Sequence, residues 1–141
     1  MLRHTLQYLK GSINEGLKYS KSINGLYLSG YSDSDWANST TDRRSTTGYC
    51  FTLNPDGPPV SWKSKKQPTV ALSTCEAEYM GYVACFQEAL YLKIFLENLI
   101  HIETPITIHG DNQGAIALSK NPIVHSCSKH IDVKFHFIRE K

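Results

Sequence analysis

One break organises this chain. At Pro68 a series of strand-like segments stops, and Ser73-x-x-Glu76 opens a helix five residues later. Serine at that position accepts a hydrogen bond from the backbone three residues on, and glutamate reaches back, so the pair reads as a capping box. Before the break, residues 26–33 form a strand, with Leu26, Leu28 and Gly30 on one face, after a hairpin from residues 17–19 through the turn pair Asn24-Gly25. Residues 45–53 are rich in Thr, Tyr and Phe, Asn54-Pro55-Asp56-Gly57 is turn chemistry, and residues 60–67 alternate again. Three antiparallel strands in meander order are expected, then a long helix.

That helix is expected to run to about residue 100, with Met80, Val83, Ala84, Leu90, Tyr91 and Ile94 as its apolar stripe. Residues 84–100 are the most apolar stretch, but Gln87, Glu88, Lys93, Glu97 and Asn98 interrupt it, which excludes a membrane span. A short strand at 105–110 leads to Asp111, and a helix over 112–120 stops at Asn121-Pro122. Residues 128–140 fit a helix or a strand. At the other end, Leu2, Leu6 and Leu9 before Gly11 predict a short helix over 2–10.

A length of 141 residues suits one domain with a real core and leaves little for a second. The net charge of +2 and pI of about 8.3 are compatible with a nucleic-acid partner but too mild to indicate one. Cys50, Cys75, Cys85 and Cys127 form no C-x-x-C pair, and they read as free thiols in a reducing compartment.

The chemistry-bearing residues are acidic. Asp33 ends the first strand, Glu78 lies in the first turns of the long helix, and Asp111 ends the fourth strand. If the fourth strand runs beside the first, the aspartates emerge at neighbouring strand ends and Glu78 closes a triangle. Such a cluster suits a hard divalent cation, magnesium or manganese. Taken singly, each residue has an ordinary reading: Asp satisfies amides in strand-ending turns, and Glu complements a helix dipole. Periodicity does not separate Glu76 from Glu78, although Glu76 has a capping role to account for it.

The segments YSDSDWA, DRRSTTGYCFTL, SWKSKKQPTVALSTCEAEYM, PITIHGDNQGAIALSKNP and HSCSKHIDVKFHFIRE, in this order, resemble the ribonuclease H region of copia-type LTR retrotransposon Pol polyproteins. The resemblance implies an α/β fold: a ribonuclease H-like mixed sheet, first three strands antiparallel, with flanking helices. It divides the chain into a linker and helix at 1–25, joining it to an upstream reverse transcriptase, and a ribonuclease H-like domain at 26–141. It further implies two Mg2+ or Mn2+ ions held by Asp33, Glu78 and Asp111, and cutting of the RNA strand of an RNA-DNA hybrid during reverse transcription. The expected location is cytoplasmic, in virus-like particles, or nuclear.

By the same resemblance Gln113 meets the minor groove, and Thr74 and Cys75 take polar substrate contacts, Cys75 departing from the usual polar residue. Lys63 and Lys65 share one face of their strand and fit phosphate contacts, although a solvated edge strand explains them equally well. Arg43-Arg44 carries the same ambiguity. The spacing of His125, Cys127 and His130 matches no standard zinc module.

The family's fourth carboxylate belongs to a later A-D-x-x-T-K motif, which does not occur before Lys141. Asp132 is therefore read as structural or surface, and the fifth strand and final helix are expected to be missing. The alternative to a working nuclease is a catalytically inactive remnant that at most binds nucleic acid. An unrelated metal-dependent nuclease or an integrase is disfavoured by the motif order.

Overall fold

The computed structural model describes residues 2–21, 25–54, 57–100 and 102–120. Asn24, Pro55, Asp56, the 128–140 segment, the group of His125, Cys127 and His130, and Asp132 lie outside these residues. Among the described residues the order is α1 (Leu2–Gly11), β1 (Tyr27–Asp35), β2 (Thr46–Leu53), β3 (Pro59–Lys66), α2 (Thr74–Glu97), β4 (Glu103–His109) and α3 (Gln113–Lys120). The strands form one mixed sheet in the order β3-β2-β1-β4. Both contacts of the meander are antiparallel, and β4 runs parallel to β1, as a helical crossover requires.

The expected hairpin before β1 does not form. Residues 17–19 are not a strand, and the reason is that β2 and β4 occupy both edges of β1. Tyr19 instead donates its hydroxyl to the Pro59 carbonyl at 2.7 Å. Helix α1 has no buried residue and packs against no other described helix or strand.

Helix α2 begins where the capping box places it. Ser73 Oγ accepts from the Glu76 N–H at 3.1 Å. Glu76 reaches one residue further back than the simple motif, accepting from the Leu72 N–H at 2.8 Å. The face that α2 turns to the sheet differs from the expected stripe: Tyr91 and Ile94 are 62% and 63% exposed. Ala77, Gly81, Cys85 and Ala89, four residues apart, are buried in their place, and Leu92 continues the line. Small side chains on one face let a helix lie close to a sheet, and closeness rather than bulk selects this face.

The main core lies between α2 and the sheet, where Leu28, Tyr49 and Phe51 meet Cys85, Ala89 and Leu92. Phe51 crosses β1 at Gly30; a Cβ there would stand 2.6 Å from its ring. Toward the start of α2 the interface becomes tighter and more polar. A Cβ on Gly81 would lie 2.5 Å from Ser34 Oγ and 3.2 Å from Ser32 Oγ. On the far side Glu88 accepts from Ser61 at 2.6 Å and Tyr49 at 3.1 Å, tying α2 to β2 and β3. Burial, with the Glu88 charge second, pushes the Tyr49 phenol up to about 12.

These contacts predict that Gly81→Ala destabilises the protein by ~1–3 kcal/mol, because the added methyl must push α2 off β1. Gly16→Ala, where a Cβ would meet nothing, should change stability by less than ~0.5 kcal/mol. Urea unfolding of the two variants makes the comparison.

Candidate active site

Register brings the first two acids together. Tyr31 on β1 pairs with His109 on β4, so two residues further along the parallel strands Asp33 and Asp111 stand side by side. Asp33 is not at the end of its strand as expected. It pairs with Gly48, and β1 continues to Asp35 because Asp35 still has Thr46 opposite. The odd-numbered residues Tyr31 and Asp33 face away from α2, and the Tyr31 ring stacks on His109 with centroids 4.9 Å apart.

Glu78 approaches from α2. One carboxylate oxygen each from Asp33, Glu78 and Asp111 lies within 4.8 Å of the others. Asp33 and Asp111 are exposed, while Glu78 is only 6% exposed. Burial pushes the Glu78 carboxyl up to about 7. The Ser34 backbone N–H, which donates to it, opposes the shift, and the charges of Asp33 and Asp111 add to it. Its Oε2 is buried without a hydrogen-bond partner. An orphaned carboxylate oxygen beside two further carboxylates fits a hard divalent cation, which would satisfy the oxygen and offset the repulsion.

Helix α3 begins beside this cluster. Asn112 caps it, its Oδ1 accepting from the Ala115 N–H at 2.9 Å. Ala115 packs with Tyr79, Tyr82 and Val83 of α2. A Cβ on Gly114 would stand 3.5 Å from Cys75 Sγ, so the starts of α2 and α3 adjoin. Burial raises the Cys75 thiol above its ordinary range, with Glu78 adding to the effect.

No protein-family model matches the chain. Among curated proteins it is 43% identical over 135 residues, 96% of its length, to the retrovirus-related Pol polyprotein from transposon TNT 1-94 of Nicotiana tabacum. It is 41% identical over 141 residues to the corresponding polyprotein from transposon RE1 of Arabidopsis thaliana. The chain spans about a tenth of the length of these relatives. Among solved structures, LC11-RNase H1 isolated from compost superposes with a TM-score of 0.58 over 81% of this chain and 74% of that one, at 15% identity. The chain has a ribonuclease H-like fold and is related in sequence to part of transposon Pol polyproteins.

On this ribonuclease H-like fold the expected site residues divide into three places. Asp33, Glu78 and Asp111 converge. Thr74 and Gln113 are exposed at the first residues of α2 and α3, with Cys75 half-buried between the two helices. Lys63 and Lys65 lie away from the acids, lining a cavity of about 410 Å³ between β3 and α2. Their neighbour Lys66 is engaged by Asp42 at 2.8 Å, an ion pair that holds the Asp42 carboxyl well below the usual range.

Sequence reasoning missed the polar groups beneath Glu78: Ser34, Thr47 and Gln67. No local pattern marks them, and Gln67 merely continues the polar run of Lys65 and Lys66 up to Pro68. Cys50, Cys75 and Cys85 are free thiols, as expected. No helix among the described residues is long and apolar enough to cross a membrane.

Because a cation must displace the proton that burial holds on Glu78, Mn2+ affinity should weaken as pH falls through about 7, by up to ~10-fold per pH unit below it. Calorimetric titrations at pH 6, 7 and 8 measure this, and Glu78→Gln should abolish the dependence together with tight binding.

Proposed function

We propose that the chain is a metal-dependent endonuclease that hydrolyses the RNA strand of RNA-DNA hybrids during retrotransposon reverse transcription. The observation that carries this reading is the convergence of Asp33, Glu78 and Asp111. The structure of LC11-RNase H1 in complex with an RNA/DNA hybrid, similar in fold with a TM-score of 0.51, supports it by analogy. On this reading the partner is a reverse transcriptase of the same polyprotein, a pairing that the relatives' polyproteins support, and the place is cytoplasmic virus-like particles or the nucleus.

Magnesium or manganese at such a site, two ions in the complete family arrangement, supplies an acidified water and charge stabilisation for the leaving 3′ oxygen. The protein's own part is to hold. Asp33 and Asp111, fixed by strand register, present carboxylates at the open edge of the site. Glu78, buried and rigid, presents its orphaned oxygen from the other side. Thr74 and Gln113, at two adjoining helix starts, lie where polar groups can meet the sugar edges of a minor groove. Cys75 adds bulk there but a weak hydrogen bond. Lys63 and Lys65 provide sequence-independent attraction for phosphates.

The alternative reading is an inactive remnant that at most binds nucleic acid. The test is cleavage of labelled hybrid in Mn2+, with duplex DNA as control. We expect products bearing 5′ phosphates and 3′ hydroxyls, and a loss of at least ~100-fold in Asp33→Asn or Asp111→Asn. Binding without cleavage would favour the remnant; cleavage indifferent to Asp33→Asn would sink the site assignment. Lys63→Ala and Lys65→Ala should each lower the salt slope of hybrid binding by ~1 without changing sequence preference.

A further inference from the structure

Beneath the acids runs a closed circuit of polar groups. The backbone N–H of Ser34, the residue after Asp33, donates to the Glu78 carboxylate. The Ser34 hydroxyl lies 3.4 Å from that of Thr47, its cross-strand neighbour on β2. Thr47 Oγ1 accepts from Gln67 Nε2 at 2.8 Å, and the same nitrogen donates to the Ala77 carbonyl at 2.9 Å. Ala77 is bonded to Glu78. The circuit therefore begins and ends at the buried carboxylate, passing through β1, β2, the exit of β3 and the first turns of α2.

Gln67 closes it. The side chain is 3% exposed, its backbone N–H donates to the Ser45 carbonyl at 2.8 Å, and its Oε1 has no partner. Ala77 O can only accept, so the amide nitrogen must point to it. Both Nε2 protons are then committed, one toward the Asp33-bearing strand by way of Thr47 and Ser34, the other toward the Glu78-bearing helix. A buried amide that gives up its carbonyl partner to make these two bonds holds one geometry against sliding, because moving α2 along the sheet breaks one bond or the other. Gly81, one turn beyond Ala77, fixes the approach distance through its contact with Ser34.

We infer that Gln67 is a positioning residue for the metal site: through Thr47 and Ser34 on one side and Ala77 on the other, it sets the reach of Glu78 toward Asp33. This rests on the metal-dependent reading above. Gln67 touches no substrate and does not ligate; its effect passes entirely through Glu78.

The decisive measurement is Mn2+ affinity of the full chain, taken from the resonance signal of free Mn2+ well below each variant's unfolding midpoint, with circular dichroism and thermal unfolding alongside. Gln67→Met keeps the volume and loses both bonds, and it should bind Mn2+ ~10-fold more weakly. Thr47→Val should show a similar loss, Thr47→Ser should restore near wild-type affinity, and the Gln67→Met/Thr47→Val double variant should be no weaker than the worse single, as groups in one circuit are not additive. A Gln67→Met protein that melts earlier but binds Mn2+ like wild type has lost only stability, and that result overturns the inference; so do additive losses in the double variant. If Gln67→Met does not fold, Thr47→Val against Thr47→Ser decides by the same criterion. Wild-type chain that binds no Mn2+ defeats the metal-dependent reading itself, an outcome distinct from a normal site indifferent to Gln67.

Discussion

The closeness of α2 to β1 is the constraint on which the rest depends. Ala77, Gly81, Cys85 and Ala89 recur every four residues on the sheet-facing side of the helix. None of them is large. At Gly81 the gap closes until a single added carbon would collide with Ser34. Glu78 lies within one turn of that point, so the approach distance of the helix becomes the reach of the carboxylate. A bulkier residue at this contact would raise the helix, and the acid would move with it. Gly30 does the complementary work within the sheet, where its missing side chain leaves room for the Phe51 ring to bridge strand and helix.

The same closeness works against the charged site. Bringing Glu78 out of water beside Asp33 and Asp111 raises its pKa to about 7. The sign follows from linkage: the folded chain binds this proton more tightly than the unfolded chain, so the group's contribution to stability falls as pH rises from about 4.5 to about 7. Above that range the metal-free fold carries the full repulsion of three carboxylates. A divalent cation reverses the balance because it favours the ionised form. A site strained in this way when empty, and relieved when filled, is what metal-binding carboxylate clusters are expected to be.

Local chemistry made much of the fold legible. Strand β2 ends at Leu53 and β3 begins at Pro59, on either side of the turn chemistry, and the Ser73 capping box marks the start of α2 to the residue. Glu76 serves the cap of α2 while Glu78 joins Asp33 and Asp111, a division that periodicity alone does not make. What failed was reading a contact face by hydrophobicity. Tyr91 and Ile94 were expected inward and lie outward, because a sheet with Phe51 and Tyr49 already projecting from it leaves space for Ala89 rather than for another large ring. The hairpin from residues 17–19 failed for a non-local reason: its place beside β1 belongs to β4, more than 80 residues away in sequence. Gln67 was unreadable in the same sense, since its partners lie 20 and 10 residues away and only the folded chain assembles them.

The two halves of α2 accordingly rest on different physics. Its later half lays Cys85, Ala89 and Leu92 on Leu28, Tyr49 and Phe51, where burial contributes most of the stability but specifies position weakly, because apolar surfaces can slide at small cost. Its first half lies on Ser32, Ser34, Thr47 and Gln67, where little apolar area is gained and each hydrogen bond fixes a distance and a direction. Polar groups of this kind are expensive to bury and easily replaced by hydrocarbon if stability were the only requirement. Their concentration beneath Glu78 makes sense when the quantity being held is the position of a carboxylate. The apolar end keeps the helix on the sheet, and the hydroxyl-lined end decides where along the sheet it stops.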